Sequence, residues 1–397
     1  MADTVLCADI GTSSLKAALI TCSGSVIASS RQVFADSASD HVSTAWMQAM
    51  QQVCAGFGSN LKNVTALCIS GNGPTIVSEN GTTLLWNILT DEFYPTASLF
   101  IPRILSFKKL YRSIWDSESR LFSGPEYLIW SLTGNAVTIL PEERFSSAYW
   151  TAKDLSRFLI PENKLPPFVP PAYDAGPLTK EKAALLGLQN QVHVFCGAPD
   201  FIAALIGTNT LKNGMLCDRA GSSEGLNMCS YVPVYGRGIR TLPSILPDLW
   251  NAGVLLIESG KLFSDYKKQI EQSGQKDISY QSLAALSVSD PLSGGYKLMK
   301  SLADEVSQGL HILLEAADKN GIAVSPYMAI TGGQAKIPEW LQMKADIIKY
   351  PLAVMNSEDA ELTGDAVLAW AGLGSYPSVK KAADAMVTVK KIYSPKK

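Results

Sequence analysis

"CADIGTSSLKAALI", residues 7–20, is an apolar run that meets an acid, a glycine and three hydroxyl side chains before a lysine and a second apolar run. Short apolar segments bounded by turn formers read as buried strands. The segments "TVLCADI" (4–10) and "LKAALIT" (15–21) are therefore predicted to be strands joined by "GTSS", with "GSVIASSRQVF" (24–34) a third strand after a Ser-Gly-Ser turn. Further out, apolar residues fall at helical spacing across residues 43–57 behind a Ser/Thr cap, and "NVTALCISG" (63–71) returns to strand. The class is mixed α/β.

The same plan recurs far along the chain. "VHVFCGAPD" (192–200) is a strand ending on an acid, "FIAALIGTNTL" (201–211) opens a helix, and "GMLCDRAGSSEGLNMCS" (214–230) is again strand, hydroxyl-rich glycine turn, strand. Between the two lies a mainly helical stretch, residues 95–190, with "SGPEYLIWSLTG" a capped helix and a loop-rich run of prolines from Pro161 to Pro177. A long helix is expected from about Ser301 to Asn320, followed by "YMAITGGQAKIPEWLQMKADII" (327–348) and "SEDAELTGDAVLAWAGLG" (357–374). In that last helix Ala360, Gly364, Ala366, Ala369 and Ala371 thin one surface for close packing. The recurrence predicts two related domains, residues 1–212 and 213–397, facing one cleft.

Composition excludes several classes of function. Thirty-four Lys and Arg stand against 36 Asp and Glu, so no basic footprint for nucleic acid is present. The lysines of the last segment, "VKKAADAMVTVKKIYSPKK", read as a solvated C-terminal helix that frays. No apolar run approaches the roughly 20 residues of a membrane span. The seven scattered cysteines form no CxxC pair, which suits a reducing compartment, and a cytoplasmic protein without membrane contact is expected. Three distant histidines give no metal-ligand cluster.

A tight turn whose backbone N–H groups point inward, with glycine for close approach and Thr or Ser as added donors, makes a nest for phosphate oxygens. Gly11, Thr12, Ser13 and Ser14 supply such a turn, Lys16 adds charge, and the β- or γ-phosphate of ATP is the natural guest. Asp9 would repel a bare phosphate, but magnesium between the two, directly or through water, makes the acid sensible. Taken alone, "GTSS" is equally well a plain hairpin turn; the second turn, Gly221, Ser222 and Ser223, favours the phosphate reading. Neither a Gly-Lys-Ser/Thr loop ahead of a helix nor a strand-to-helix GxGxxG is present.

"CADIGTSSLKAALI" resembles the first phosphate motif of the actin-like ATPase superfamily and, within it, of the FGGY carbohydrate kinases, xylulose-kinase-like members above all. "GAPDFIAALIG" is similar to the family's segment with the catalytic Asp, "AGSSEG" to its second phosphate turn, and "TGGQAKIPEWLQMKADI" with "DAELTGDAVLAWAGLG" to its adenosine region and following helix. The resemblance, five segments in order over residues 5–374, implies two actin-like, ribonuclease H-like α/β domains closing on MgATP and a sugar or polyol. It implies Asp200 as general base, Asp9 as magnesium holder, Gly221, Ser222 and Ser223 at phosphate, and Gly332, Gly333 and Gln334 near adenosine. From the residues alone, Asp200 also suits a helix N-cap. A small sugar or polyol is the expected partner, with a homodimer the oligomer to look for.

The acceptor side departs from the family. "CISGNGPTIV" (68–77) matches a strand motif that in the family is often serine-glycine-glutamine, with Asn72 in the glutamine's place and Pro74 where xylulose kinases usually have histidine, so that Asn72, Gly73 and Pro74 face the substrate side; "LLWNILTDEF" (84–93) keeps Trp86 of the family's tryptophan-aspartate-arginine motif without its arginine. Phe201 replaces an asparagine, either stacking on a sugar or packing as core. Glu142 matches a family acid, with Glu143 an equal alternative, and Gln334 replaces a glycine that lets the backbone approach adenosine. A glycine-glutamate-arginine and proline segment of the second domain is missing, so that domain reads as trimmed. Three functions follow as expectations: a sugar kinase, with a ketopentose such as xylulose foremost; a non-catalytic sugar and nucleotide sensor; and an actin-like ATPase that uses water.

Overall fold

β1 (Thr4–Ile10) and β2 (Ser14–Thr21) are buried along almost their whole length, as continuous apolar runs require, while β3 (Val26–Val33) alternates exposure at a sheet edge. The protein is seen in a computed structural model that describes residues 2–396 apart from 36, 38, 72, 89–92, 118, 222, 223, 257 and 258. Packing divides the chain into two units: Met1–Ala203 with Glu361–Met386, and Ala204–Ala360 with Val387–Lys397. The boundary expected after residue 212 falls inside the second unit, and the segment 361–386 packs with the first.

In unit 1, β4 (Val64–Gly71) lies parallel to β1 in the main sheet. The short β5 (Ile76–Ser78), β6 (Thr83–Leu84) and β7 (Leu121–Phe122) form a small sheet of their own, and β8 (Thr138–Ile139) pairs with β9 (Phe168–Val169). β10 (Asp174–Pro177) and β11 (His193–Pro199) complete the main sheet in the order β10-β11-β4-β1-β2-β3. The helices Val42–Phe57 and Gly124–Thr133 bring Trp46, Met50, Val53, Leu128, Ile129 and Leu132 onto the core of this sheet. The first helix lacks its expected hydroxyl cap: His41 takes the N-cap position, and Ser43 instead donates to the Gly81 carbonyl at 2.6 Å. The second helix has the expected capping box of Ser123 and Glu126, Pro125 in its first turn and a left-handed Gly134 at its end.

Unit 2 repeats the plan. β12 (Leu216–Ala220) and β13 (Glu224–Ser230) form the second hairpin, followed by β14 (Arg240–Pro243) and β15 (Trp250–Leu256). β16 (Met328–Thr331), β17 (Leu352–Met355) and β18 (Val389–Tyr393) close the sheet in the order β14-β15-β13-β12-β16-β17-β18. In both sheets a hairpin strand has a parallel neighbour, then a second parallel strand, then an antiparallel edge: β1, β4, β11, β10 in one and β12, β16, β17, β18 in the other. The long helix Gly294–Lys319 begins before the expected Ser301 and packs Val306, Leu310 and Leu313 onto the sheet. The lysine-rich tail is not one fraying helix. Its first half is the helix Val379–Met386 and its second half is β18, paired with β17, where β-branched Val389 and Ile392 favour strand.

Candidate functional site

In unit 1 the parallel strands end together. Register pairs Asp9 with Ser70, Ile10 with Gly71, and Gly71 with Pro199, so Asp9, Ser70 and Asp200 share the carboxyl end of the sheet, where ligands of open α/β sheets bind. Asp9 is 4% exposed, accepts from the Ser70 hydroxyl at 3.5 Å, and lies 3.8 Å from the Lys16 ammonium across the hairpin. Lys16 is also 3.6 Å from Glu361. Ser70 donates more tightly, at 2.8 Å, to Asp365 on the helix Ala360–Gly372. Asp365 is fully buried; burial pushes its carboxyl well above the usual range, and the charges of Asp9 and Glu361 add to that. Two glycines let it in. A Cβ at Gly197 would meet the Ile69 carbonyl at 2.2 Å and Asp365 at 2.8 Å, and one at Gly364 would meet the Ala203 carbonyl at 2.1 Å. Gly364, on the small-residue face of its helix, thus lies directly against Ala203.

At the first turn the Gly11 N–H donates to the Ser14 carbonyl at 2.9 Å, closing the hairpin. Thr12 and Ser13 form its more exposed tip; Ser14 is buried, and its hydroxyl accepts from Arg31 Nε at 2.9 Å. Thr12 Oγ1 accepts from the Trp86 indole at 3.2 Å, Trp86 N–H donates to Thr75, and Arg103 donates to the carbonyls of Leu85, Trp86 and Ile88. An arginine from the helix Ile101–Leu110 therefore holds the turn whose own motif lacks one. Asp200 is partly exposed and is the first residue of its helix, with Oδ1 accepting the N–H of the adjacent Phe201 at 2.6 Å, a bond to the next residue rather than to the second or third N–H that an N-cap serves. Phe201, Gly73 and Pro74 are half-buried near these strand ends in sequence, and Asn72 lies outside the described residues. Glu142 accepts from the Arg144 N–H at 3.0 Å and from its guanidinium at 2.6 Å, capping a short turn that Glu143 begins.

In unit 2 the second turn follows β12 at Gly221; Ser222 and Ser223 lie outside the described residues. Gly332, at φ +90°, follows the parallel neighbour β16, and a Cβ there would meet the Ala220 carbonyl at 2.4 Å. Only glycine allows the two turns to touch. Gly333 opens on free space instead. Gln334 is turned inward: its Nε2 donates to Glu224 at 3.0 Å and to Ser259 at 3.2 Å. Glu224 and Asp218 flank Lys344 at 2.5 and 2.9 Å, and all three are enclosed. Burial and the neighbouring Glu224 push Asp218 up to about 8. Burial also raises Glu224, but Lys344 outweighs it and holds Glu224 below its ordinary value.

Asp365, Ser70, Asp218, Glu224 and Lys344 were not among the residues expected from sequence. Their signal was present in two cases: Asp365 is the one acid inside "LTGDAVLAWAG", and Lys344 falls among Trp340, Leu341, Ala345 and Ile348 on the apolar face of its helix. Among the described residues no group of three or more His, Cys, Asp or Glu stands together as a metal cluster, no cysteine is in a disulfide, and no helix is long and apolar enough to cross a membrane.

Residues 285–373 match the model of the FGGY family of carbohydrate kinases, C-terminal domain. A xylulose kinase of Staphylococcus epidermidis is 22% identical, with 99% of this chain and 92% of that protein covered. Their alignment runs over 467 positions, more than the 397 residues here, so the relative carries insertions that this chain lacks. Among solved structures, a ligand-bound xylulose kinase from Lactobacillus acidophilus superposes with a TM-score of 0.76 at 14% identity, covering 99% of this chain and 94% of the other. Plasmodium falciparum glycerol kinase with ADP gives 0.77 at 14% identity, covering 100% and 94%.

Proposed function

Since the chain belongs to the FGGY family of carbohydrate kinases, we propose that it transfers the γ-phosphoryl group of ATP to a hydroxyl of a ketopentose such as xylulose, with Asp200 as general base. The observation that carries this reading is the repeated sheet, each copy with a glycine and hydroxyl turn leaving its central strand, together with Asp200 beside Asp9 and Ser70 at the carboxyl strand ends of unit 1.

Asp200 accepts the acceptor hydroxyl's proton while that oxygen bonds to the γ-phosphorus and the bond to the bridging oxygen of ADP breaks. A loose phosphoryl transition state demands positioning and charge compensation more than covalent help. Thr12 and Ser13 at the first turn, with Gly221, Ser222 and Ser223 at the second, donate to the phosphates; Ser14 braces the first turn through Arg31. Gly332 and Gly333 approach adenosine, Gly333 with open space above it. On the acceptor side, the Gly73–Pro74 turn and the braced Trp86 face the sugar, and Phe201 packs beside Asp200.

Magnesium fits this donor set. Asp9 is a hard oxygen donor, and among the described residues it stands in no group of three or more His, Cys, Asp or Glu, which suits an ion that keeps several waters and takes its remaining ligands from phosphates. Asp9 would hold the ion, which would supply neutralisation of phosphate charge, and Lys16, 3.8 Å from Asp9, would add a positive charge on the phosphate side.

The test is ADP release with MgATP across ketoses, aldoses and polyols, with a no-sugar blank. One sugar raising the rate above the blank, and Asp200→Asn lowering that rate by about 10²–10⁴-fold, is the expected result. Near-normal turnover in the variant would remove Asp200 as base. ATP turnover independent of sugar would favour an ATPase, and bound ATP with a flat panel would favour a sensor.

A further inference from the structure

Unit 2 buries a charged group that phosphoryl transfer does not call for. Lys344 lies on the inner face of the helix Pro338–Ile348, wholly enclosed with Asp218 and Glu224. Exchanging a buried ion pair for well-packed apolar side chains is often neutral or stabilising, so stability alone gives weak reason for such a triad. Its connections give a better one. Glu224 is the first residue of β13, directly after the second phosphate turn. One of its oxygens accepts from Lys344 at 2.5 Å, and the other accepts from Gln334, in the adenosine turn, at 3.0 Å.

The donor assignment within Gln334 is fixed by this partner, because an ionised carboxylate can only accept, so the amide must turn its NH₂ toward Glu224. Gln334 Oε1 is then left buried without a hydrogen-bond partner, and leaving an acceptor so usually costs about 1–3 kcal/mol. The side chain keeps this arrangement because its NH₂ holds Glu224 and Ser259 at once. Behind it, Gly332 is pressed on the Ala220 carbonyl. Moving one turn past the other would break charge-assisted bonds where no water replaces them.

We propose that Gln334, Glu224 and Lys344 form a buried strut that locks the start of β13, at Glu224, to the adenosine turn and so holds these two parts of the nucleotide site in place, with Lys344 as the positioning residue. The proposal rests on the kinase reading. It gives Gln334 a role opposite to crowding: the side chain that replaces the family's glycine points away from the nucleotide and braces the turn. Binding where the start of β13 and the adenosine turn are already held together spends less free energy on ordering, so loss of the strut weakens nucleotide affinity.

The experiment is calorimetric titration of the full-length protein with ADP, beside thermal melts. Gln334→Met, which keeps volume and removes the amide, and Lys344→Met are each expected to raise the ADP Kd about tenfold or more. The single exchange Glu224→Gln should do the same. Adding Gln334→Glu to it reverses donor and acceptor at equal total charge and is expected to recover affinity. A purely structural triad would lower the melting temperature in these variants with the ADP Kd within twofold of the original, and that result overturns the strut. Should Lys344→Met fail to fold, Gln334→Met and the paired exchange decide. Absence of ADP binding by the unaltered protein would overturn the nucleotide reading, and the strut with it.

Discussion

The two hairpins occupy the same place in two matching sheets, yet they are braced by opposite means. Aligning Gly11 with Gly221 sets Asp9 opposite Arg219 and Ser14 opposite Glu224. At the first turn the acid precedes the turn, and its lysine is partly exposed with contacts of 3.8 and 3.6 Å. At the second, a cation precedes the turn, and the acid that follows it is enclosed with Lys344 at 2.5 Å. A loose pair whose lysine is partly solvated can exchange that lysine for a metal ion, or turn it toward a phosphate; an enclosed one cannot. One scaffold thus yields an exchangeable charge at one turn and a fixed brace at the other.

This contrast breaks most readily at the lysines. Removing one partner of a buried charge pair costs about 3–5 kcal/mol, whereas a partly solvated lysine 3.8 Å from its acid contributes less. Denaturant unfolding should therefore find Lys344→Met strongly destabilised and Lys16→Met less so; similar losses from both would erase the distinction. A smaller effect is expected at Gly364→Ala. Its new methyl meets the Ala203 carbonyl at 2.1 Å and must displace the last helix from the one that Asp200 opens, at about 1–3 kcal/mol. Turnover should fall along with the melting temperature, and loss of stability alone would separate this helix from the site.

The smallest effect concerns pH. Asp218 is pushed up to about 8 in the folded protein from 3.8, so between those values the folded state binds more protons than the unfolded one. The stability it contributes is full below about pH 4 and is lost as pH rises through about 8. Asp218→Asn should flatten that decline, read as a smaller drop in melting temperature between pH 6 and pH 9. An equal drop in both proteins would place the proton elsewhere.

Much of this was legible in the chain. Both hairpins, the strand at residues 63–71 and the acid-ended strand at 192–200 announce themselves because buried strands are apolar runs and the turns between them are rich in glycine and hydroxyls. The braces were not, because they join residues far apart in sequence: Ser70 meets Asp365, and Glu224 meets Lys344. A single acid or lysine in an apolar pattern is ordinarily a surface residue, and only the fold shows which ones face inward. The tail misled for a related reason. Its lysines suggest a solvated helix, but in β18 they project from an edge strand, where charge discourages further pairing. In sequence Gln334 is a departure from the family's glycine; only the fold shows that it points to Glu224.

The chain leaves unit 1 at Ala203 and returns to it for Glu361–Met386. During synthesis from the amino end, the first sheet can therefore be laid down early, yet the carboxylate that Ser70 holds emerges only after nearly all of unit 2. Domains generally fold as units in the order they are made, but this one must wait with an open seam over Ala203 and Gly197 until the last helix arrives. Ribosome-stalled chains ending before residue 361 accordingly lack the segment that covers Ala203.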